Sequence, residues 1–246
     1  MINISLKAEE IFRIGFFPVT NSLLVTVLAF AILAVLGLVF RKNLSLVPKG
    51  VQNLLEAILD GFLKLMDSVL GERRKSEKYL PLIATIFLLI IVSNWLGLVP
   101  GVGSIGFYEI HEGEEIFVPI FRAPAADLNF TLAIAITAVF SVNIFGVLAI
   151  GFFKYFKRFF TLKNPISTFV GLLEFISELA KMVSFSFRLF GNIFAGEVLL
   201  IIVGFLIPYL VPLPFLFLEI FVGFIQAFVF AMLTLVFIAI ATQEAH

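Results

Sequence analysis

Residues 167–206 read STFVGLLEFISELAKMVSFSFRLFGNIFAGEVLLIIVGFL, and this stretch decides the class of fold. Its 40 residues contain no proline and are mostly compatible with a helix. As a single helix they would measure roughly 60 Å, which is about twice the hydrocarbon thickness of a bilayer. Such a helix must tilt steeply, bend or extend beyond the membrane core. Three prolines interrupt the chain after it, and a last apolar run, residues 215–242, completes a helical hairpin.

The composition of the whole chain also indicates a membrane protein. Hydrophobic residues make up 61% of its 246 residues and charged residues 14%, whereas soluble domains have about 45–50% and about 25%. There are 17 basic and 17 acidic residues, so the basic excess of a nucleic-acid-binding protein is missing. Cysteine is absent and only two histidines occur, so neither a metal site nor another cofactor is expected.

Three apolar runs before the hairpin are long enough to cross a membrane, at residues 22–40, 80–99 and 128–153. Between the first two, apolar residues at spacings of three and four predict an amphipathic helix over about 48–70, with Pro48 in its first turn. That helix either lies on the membrane or a partner, or packs on its own protein. Residues 100–127 are rich in glycine, proline and acids, and predict an exposed loop or a short hairpin.

The sequence therefore predicts an all-α integral membrane protein, with residues 1–246 as a single membrane domain. About five transmembrane helices are expected, together with one amphipathic helix on the cytoplasmic side. The orientation follows from the basic residues. Eight Lys and Arg fall in residues 41–79 and four in 154–163, and alternating spans put both segments on one side. The positive-inside rule makes this side cytoplasmic, which leaves the N-terminus outside and the C-terminus inside.

Six ionisable residues fall within the final hairpin, where charge is expensive. Glu174, Glu178 and Lys181 come early enough to reach the interface or to pair locally. Arg188 is isolated, and an arginine at mid-membrane costs at least ~2.5–3.5 kcal/mol and cannot lose its proton. It either forms an internal ion pair with Glu197 or Glu219, or faces something outside its own helix. The second alternative is favoured, because Ser184 and Asn192 share its face.

The two remaining acids, Glu197 and Glu219, are candidate proton or cation sites. The alternative is a protonated glutamate bonded within the hairpin. Glu197 lies about 180° around the helix from Arg188, while Glu219 shares a face of the last helix with Gln226. Asp127 and Asn129, at the outer end of the third span, either contribute to the same polar region or simply cap a helix.

A resemblance to a known family rests on five strings. Residues 186–199, SFRLFGNIFAGEVL, resemble the signature of subunit a of the bacterial F-type ATP synthase. The same is true of 21–28 (NSLLVTVL), 93–103 (SNWLGLVPGVG), 124–132 (PAADLNFTL) and the tail from residue 223 to 246. The strings occur in the family's order and extend over essentially the whole chain.

The resemblance implies a stator subunit beside a ring of c subunits, each with one carboxyl at mid-membrane. Two offset aqueous half-channels would load and unload these carboxyls with protons. Further implied partners are b-type peripheral stalk subunits and the rest of the ATP synthase, in a bacterial plasma (inner) membrane. No catalytic site is expected on this chain.

The family's site residues map onto individual positions. Arg188 matches the family's essential arginine and Gln226 a glutamine near it. Asn192 and Glu197 match polar residues of the channel signature, and Ser184 a polar position towards the cytoplasm. Glu219 stands where some relatives carry histidine, so an acid–histidine pair is absent here.

Other function classes find little support in the sequence. A secondary transporter would show an internal repeat and helices broken at mid-span, whereas the prolines here cluster at the hairpin turn. An intramembrane enzyme would need a nucleophile or metal motif, and neither occurs. A P-loop for nucleotide binding is also absent.

Overall fold

A computed structural model describes residues 7–42, 49–111, 114–157, 159, 165–208 and 210–243. Within these ranges seven α-helices, two β-hairpins and one short 3₁₀ turn follow one another along the chain. The elements are β1 (Glu10–Ile14), β2 (Phe17–Thr20), α1 (Asn21–Lys42), α2 (Val51–Leu70), α3 (Arg73–Leu96), β3 (Gly106–His111), β4 (Glu114–Pro119), the 3₁₀ turn (Pro124–Ala126), α4 (Leu128–Ile150), α5 (Phe152–Lys157), α6 (Pro165–Leu206) and α7 (Pro212–Thr242).

Five of the described helices are long and apolar enough to cross a membrane: α1, α3, α4, α6 and α7. The expected all-α integral membrane fold is thereby confirmed. Several boundaries differ from the expected spans; α3 ends at Leu96 and α7 begins at Pro212, for example. Helix α3 begins at Arg73, so its first turns contain the basic residues Arg73, Arg74, Lys75 and Lys78. Helix α4 ends at Ile150, because Gly151 adopts a φ of +94° that interrupts the helix before α5.

The long helix is continuous over all 42 residues of α6, as expected from its lack of internal proline. The two hairpins are antiparallel, and their registers pair Glu10 with Thr20 and Gly106 with Pro119. The second hairpin confirms one of the two alternatives for residues 100–127. The exposure expected for that segment is wrong at its end, where Arg122, Ala125 and Asp127 are buried. The first hairpin was not predicted.

The chain divides into two compact units. The first comprises residues 1–37, 87–131 and 187–228, insofar as they are described. In it, the Asn94 amide donates to the Gly223 carbonyl at 2.9 Å and the Trp95 indole to the Ile220 carbonyl at 3.1 Å. A Cβ on Gly223 would lie 3.2 Å from Asn94 Cβ, so the glycine allows α3 and α7 to approach closely.

The second unit comprises residues 38–86, 132–186 and 229–246, again insofar as they are described. Its core includes Tyr155 of α5, whose hydroxyl donates to Asn143 Oδ1 at 2.6 Å. In α2, Leu63 and Met66 are buried, whereas Leu54 and Ile58 are exposed. The helix therefore packs on its own protein at one end and leaves apolar side chains outward at the other. Its predicted first-turn residue, Pro48, lies outside the described residues.

The packing of Tyr155 against α4 leads to a test of the fold. A Cβ on Gly146 would lie 2.3 Å from Tyr155 Cε2 and 3.1 Å from the Ala241 carbonyl oxygen. Gly146→Ala should therefore lower the free energy of unfolding by about 1–3 kcal/mol through overpacking. Gly37→Ala is the matched control, because nothing lies within 4 Å of a Cβ there. The measurement is the thermal unfolding midpoint in detergent, and equal midpoints for both variants would contradict the packing described.

Candidate functional site

Arg188 lies on an outward face of α6. Its side chain is exposed in this chain, as are those of Asn192 and Ala195 on the following turns. Leu189, which is 1% exposed, and Ile193 lie on the buried side of the same helix. In the other unit, Ser184 is also exposed. That Arg188 faces something outside its own helix stays a prediction.

Glu197 is held on its buried side by an arginine, Arg122, that no sequence motif marks as part of a site. Arg122, which follows β4, places its Nε 3.6 Å from Glu197 Oε1. Arg122 is only 6% exposed, and one of its terminal nitrogens donates to the Lys7 carbonyl at 3.0 Å. Its guanidinium also lies 6.0 Å from the Phe194 ring centre. Arg122 was not among the ion partners considered for Glu197. Arg122 lies 75 positions earlier in the chain than Glu197.

A cavity of about 160 Å³ lies beside this pair and has room for several water molecules. Its lining includes Asn94, Arg122, Glu197 and Glu219. Two oxygens of these residues, Asn94 Oδ1 and Glu197 Oε2, are shielded from solvent and have no hydrogen-bond partner among the described residues. Because an unsatisfied buried polar group costs about 1–3 kcal/mol, such a lining favours hydration of the cavity.

Glu219 reaches this cavity from α7 and is 6% exposed. Its carboxyl group packs directly on the backbone of α6 at Gly196: a Cβ at that position would lie 2.0 Å from Glu219 Oε2. The glycine therefore provides the space that the carboxyl occupies. Trp95 and Asn94 donate to α7 carbonyls one and four residues beyond Glu219, and so hold the same part of the helix. Gln226, seven residues beyond Glu219, is half-buried.

Glu9, just before β1, lies on a second cavity of about 320 Å³ that Arg122 and Glu197 also line. Asn21 donates to Glu9 Oε2 at 3.2 Å and orients the carboxyl. Burial raises the pKa of Glu9; the charge of Arg122 lowers it and that of Glu197 raises it further. No local pattern in the sequence marks Glu9 as part of a site.

Asp127 and Asn129 form a helix cap. Asp127 Oδ1 accepts from the Asn129 backbone N–H at 2.9 Å, and Asp127 Oδ2 accepts from the Ser22 hydroxyl at 2.8 Å. Both belong to the start of α4, and neither lines the two cavities described above. The capping alternative thus has a direct geometric basis. A channel role for the two residues stays a prediction.

Glu178, at the other end of α6, pairs locally. Lys181 donates to Glu178, and its ammonium lies 4.7 Å from the Phe237 ring centre. This confirms the local pairing that the sequence offered as one alternative.

The chemistry available to the first unit is proton uptake and release. Two carboxyls line a cavity of water-holding size, beside a guanidinium that cannot change its charge. Carboxyls in such surroundings bind protons reversibly, because an uncompensated charge there is unfavourable.

Comparisons with known proteins point to one family. A family model described as ATP synthase A chain matches residues 23–239. The chain is 36% identical to ATP synthase subunit a of Campylobacter jejuni, over 87% of this chain and 88% of the relative. It is 34% identical to that of Campylobacter fetus, over 92% of both chains, and 36% identical to that of Moorella thermoacetica, over 95% of both.

The contact between Gly196 and Glu219 can be tested by a double-mutant cycle. Gly196→Ala should destabilise the protein by up to about 1 kcal/mol, because the methyl group displaces the carboxyl, which is the end of a flexible side chain. In a Glu219→Ala background the same change should become neutral or stabilising, since the carboxyl is gone and alanine favours helix. Thermal unfolding in detergent provides the readout.

Gly191→Ala on the same helix is the matched control, because nothing lies within 4 Å of a Cβ at that position. A penalty for Gly196→Ala that persists without the carboxyl would contradict the contact.

Proposed function

The chain belongs to the ATP synthase A chain family, whose members are the proton-translocating component of a bacterial membrane complex, and from this we propose a specific mechanism. The chain provides two aqueous half-channels that load and unload the carboxyls of a c-subunit ring, and so couples proton flow to rotation. The observation that carries the proposal is the exposed Arg188 on α6, with the Glu197 and Glu219 cavity in the same compact unit.

Arg188 serves as the fixed charge at the ring. A ring carboxylate can leave water only when it is neutral or faces a cation. Arg188 attracts the ionised form and favours release of its proton towards the cytoplasm. The same charge repels protons and prevents a leak between the two half-channels. Lysine would be a poorer choice, because it can become neutral in such surroundings.

The outer half-channel includes Glu197 and Glu219. Both line a cavity of water-holding size, which supports their role as proton acceptors on the way to the ring. Asn192 lies one turn beyond Arg188 on its exposed face, where a polar side chain meets the ring surface. Gln226 is assigned to the same region of α7 from its match to the family pattern.

Release to the cytoplasm involves the part of α6 before Arg188. Ser184 is exposed there and offers a hydroxyl that can donate or accept a hydrogen bond. We assign it to the inner half-channel, from its match to a polar position of the family.

We also propose the partners of the chain and its orientation in the membrane. The chain works within the ATP synthase, against a c ring and with b-type peripheral stalk subunits, and it carries no catalytic site of its own. The N-terminus lies outside and the C-terminus in the cytoplasm, because the basic segments after α1 and α4 are expected to face inward.

The role of Arg188 is tested by Arg188→Ala. We expect proton-driven ATP synthesis in vesicles to fall to background while the complex still assembles, because the side chain is exposed and contributes little to packing. The control is Arg13→Ala, another exposed arginine, which pairs with Glu10 in the first hairpin. Wild-type synthesis by an assembled Arg188→Ala complex would refute the proposal.

The role of Glu219 is tested by Glu219→Gln, which removes the ionisable group with little change in shape. Synthesis under a limiting proton gradient should fall by about tenfold or more, as expected for loss of a proton-transfer group. The vesicles should not become leaky, since the fixed charge of Arg188 remains. Measuring passive proton leak alongside synthesis separates slow entry from uncoupling. An unchanged synthesis rate would exclude Glu219 from the path.

A further inference from the structure

Glu9 lies outside every sequence motif yet belongs to the polar cluster of the first unit. Its carboxyl shares a cavity of about 320 Å³ with Arg122 and Glu197. Its backbone carbonyl accepts from the Asn21 backbone N–H at 3.0 Å, while the Asn21 side-chain amide donates to Glu9 Oε2 at 3.2 Å. Both ends of the residue are thus fixed against the start of α1.

The charges of the ionisable residues around this cavity do not balance. Among the described residues that line the cavity, the ionisable ones are Glu9, Glu197 and Arg122. Two carboxylates and one guanidinium carry a net charge of −1, and one added proton makes the cluster neutral. Because excess charge in partly buried surroundings is unfavourable, the cluster attracts a proton. Burial raises the pKa of Glu9 in the same sense.

We propose that Glu9 is an entry relay of the outer half-channel, which takes a proton from the outer solution and passes it to Glu197. This inference rests on the proposed function of the cavity. Glu9 as carboxylate accepts a proton from water outside. It then releases the proton to cavity water, which delivers it to the Glu197 carboxylate, and Glu9 returns to its ionised state. Arg122 keeps its charge throughout.

A purely structural role for Glu9 would have a different signature. As a tether, it would hold Asn21 and the start of α1, and its loss would lower assembly or activity equally at every pH. As a relay, it matters most when protons are scarce outside. The dependence of the synthesis rate on outside pH therefore distinguishes the two roles.

The test compares Glu9→Gln with Glu10→Gln in the assembled complex in vesicles. Glu10 is the neighbouring residue, pairs with the exposed Arg13 and lines neither cavity. Under a limiting gradient, Glu9→Gln should slow ATP synthesis by about three- to tenfold, the effect of one unit charge across a partly hydrated cavity. The loss should grow as outside pH rises and shrink as it falls. Glu10→Gln should match the wild type.

Two outcomes would overturn the relay. In one, Glu9→Gln tracks Glu10→Gln at every outside pH; in the other, its loss is the same at every outside pH. Glu219→Gln, measured in parallel, separates this inference from the proposed function. Slow synthesis by Glu219→Gln with normal synthesis by Glu9→Gln removes the relay alone, whereas normal synthesis by Glu219→Gln excludes Glu219 from the proposed outer half-channel.

A second variant covers the case in which Glu9→Gln does not assemble. The chain has no cysteine, so Glu9→Cys introduces a single thiol that reagents can modify from outside in the assembled complex. A carboxymethylating reagent such as iodoacetate restores a carboxyl that can bind and release a proton, and should raise the synthesis rate. A trimethylammonium reagent should lower it about threefold or more. Equal effects of the two reagents would overturn the proposal, and the unmodified parent complex controls for other thiols.

Discussion

The ion pair between Arg122 and Glu197 joins two parts of the chain that are far apart in sequence, and much of the first unit depends on it. A guanidinium cannot become neutral, so a buried one has to be surrounded by acceptors. Arg122 has the Glu197 carboxylate and the Lys7 carbonyl beside it, and packs near the Phe194 ring. The N-terminal segment, the end of the second hairpin and α6 are thereby drawn around one charge. The cavities with their carboxyls lie at this junction.

Arg188 has the same chemistry in an opposite environment. It is exposed on α6, whereas Arg122 is buried. Arg122 is thus a permanent cation in the interior, where it lies among carboxyls that line cavities of water-holding size. Arg188 is presented to whatever packs against α6 in the complex. A proton path needs both conditions: groups that can change their charge, and a fixed charge that they cannot neutralise.

The sequence predicted those features that depend on local pattern. Each apolar run is long enough to cross the hydrocarbon core of a membrane, so the five long helices follow from composition and spacing. Arg188 could be singled out because it is isolated within an apolar helix. Asp127 was recognised as a candidate cap, since a cap depends on residues close in the chain.

The features that escaped prediction depend on long-range contacts. Arg122 follows the second hairpin, and no local pattern in the sequence indicates that it turns inward to Glu197. Glu9 sits in a short segment whose position is decided by Asn21 and the hairpin it precedes. No periodicity connects these residues, because the pairing is set by tertiary packing. The first hairpin was missed because buried and exposed side chains do not alternate along its first strand, so the sequence lacks the pattern that predicts a strand.

Glycines contribute to the site as directly as the acids do. The carboxyl of Glu219 occupies space that a methyl group on Gly196 would fill, and Gly223 allows Asn94 to reach the backbone of α7. The position of the carboxyl is therefore determined by the shape of the facing helix, in addition to its charge. A proton-binding group in an apolar helix pair needs a polar neighbour and room for water, and bulky side chains would exclude both. The glycine and the glutamate that follow each other at 196 and 197 thus act together. The first makes room for the acid of α7, and the second supplies the acid of α6.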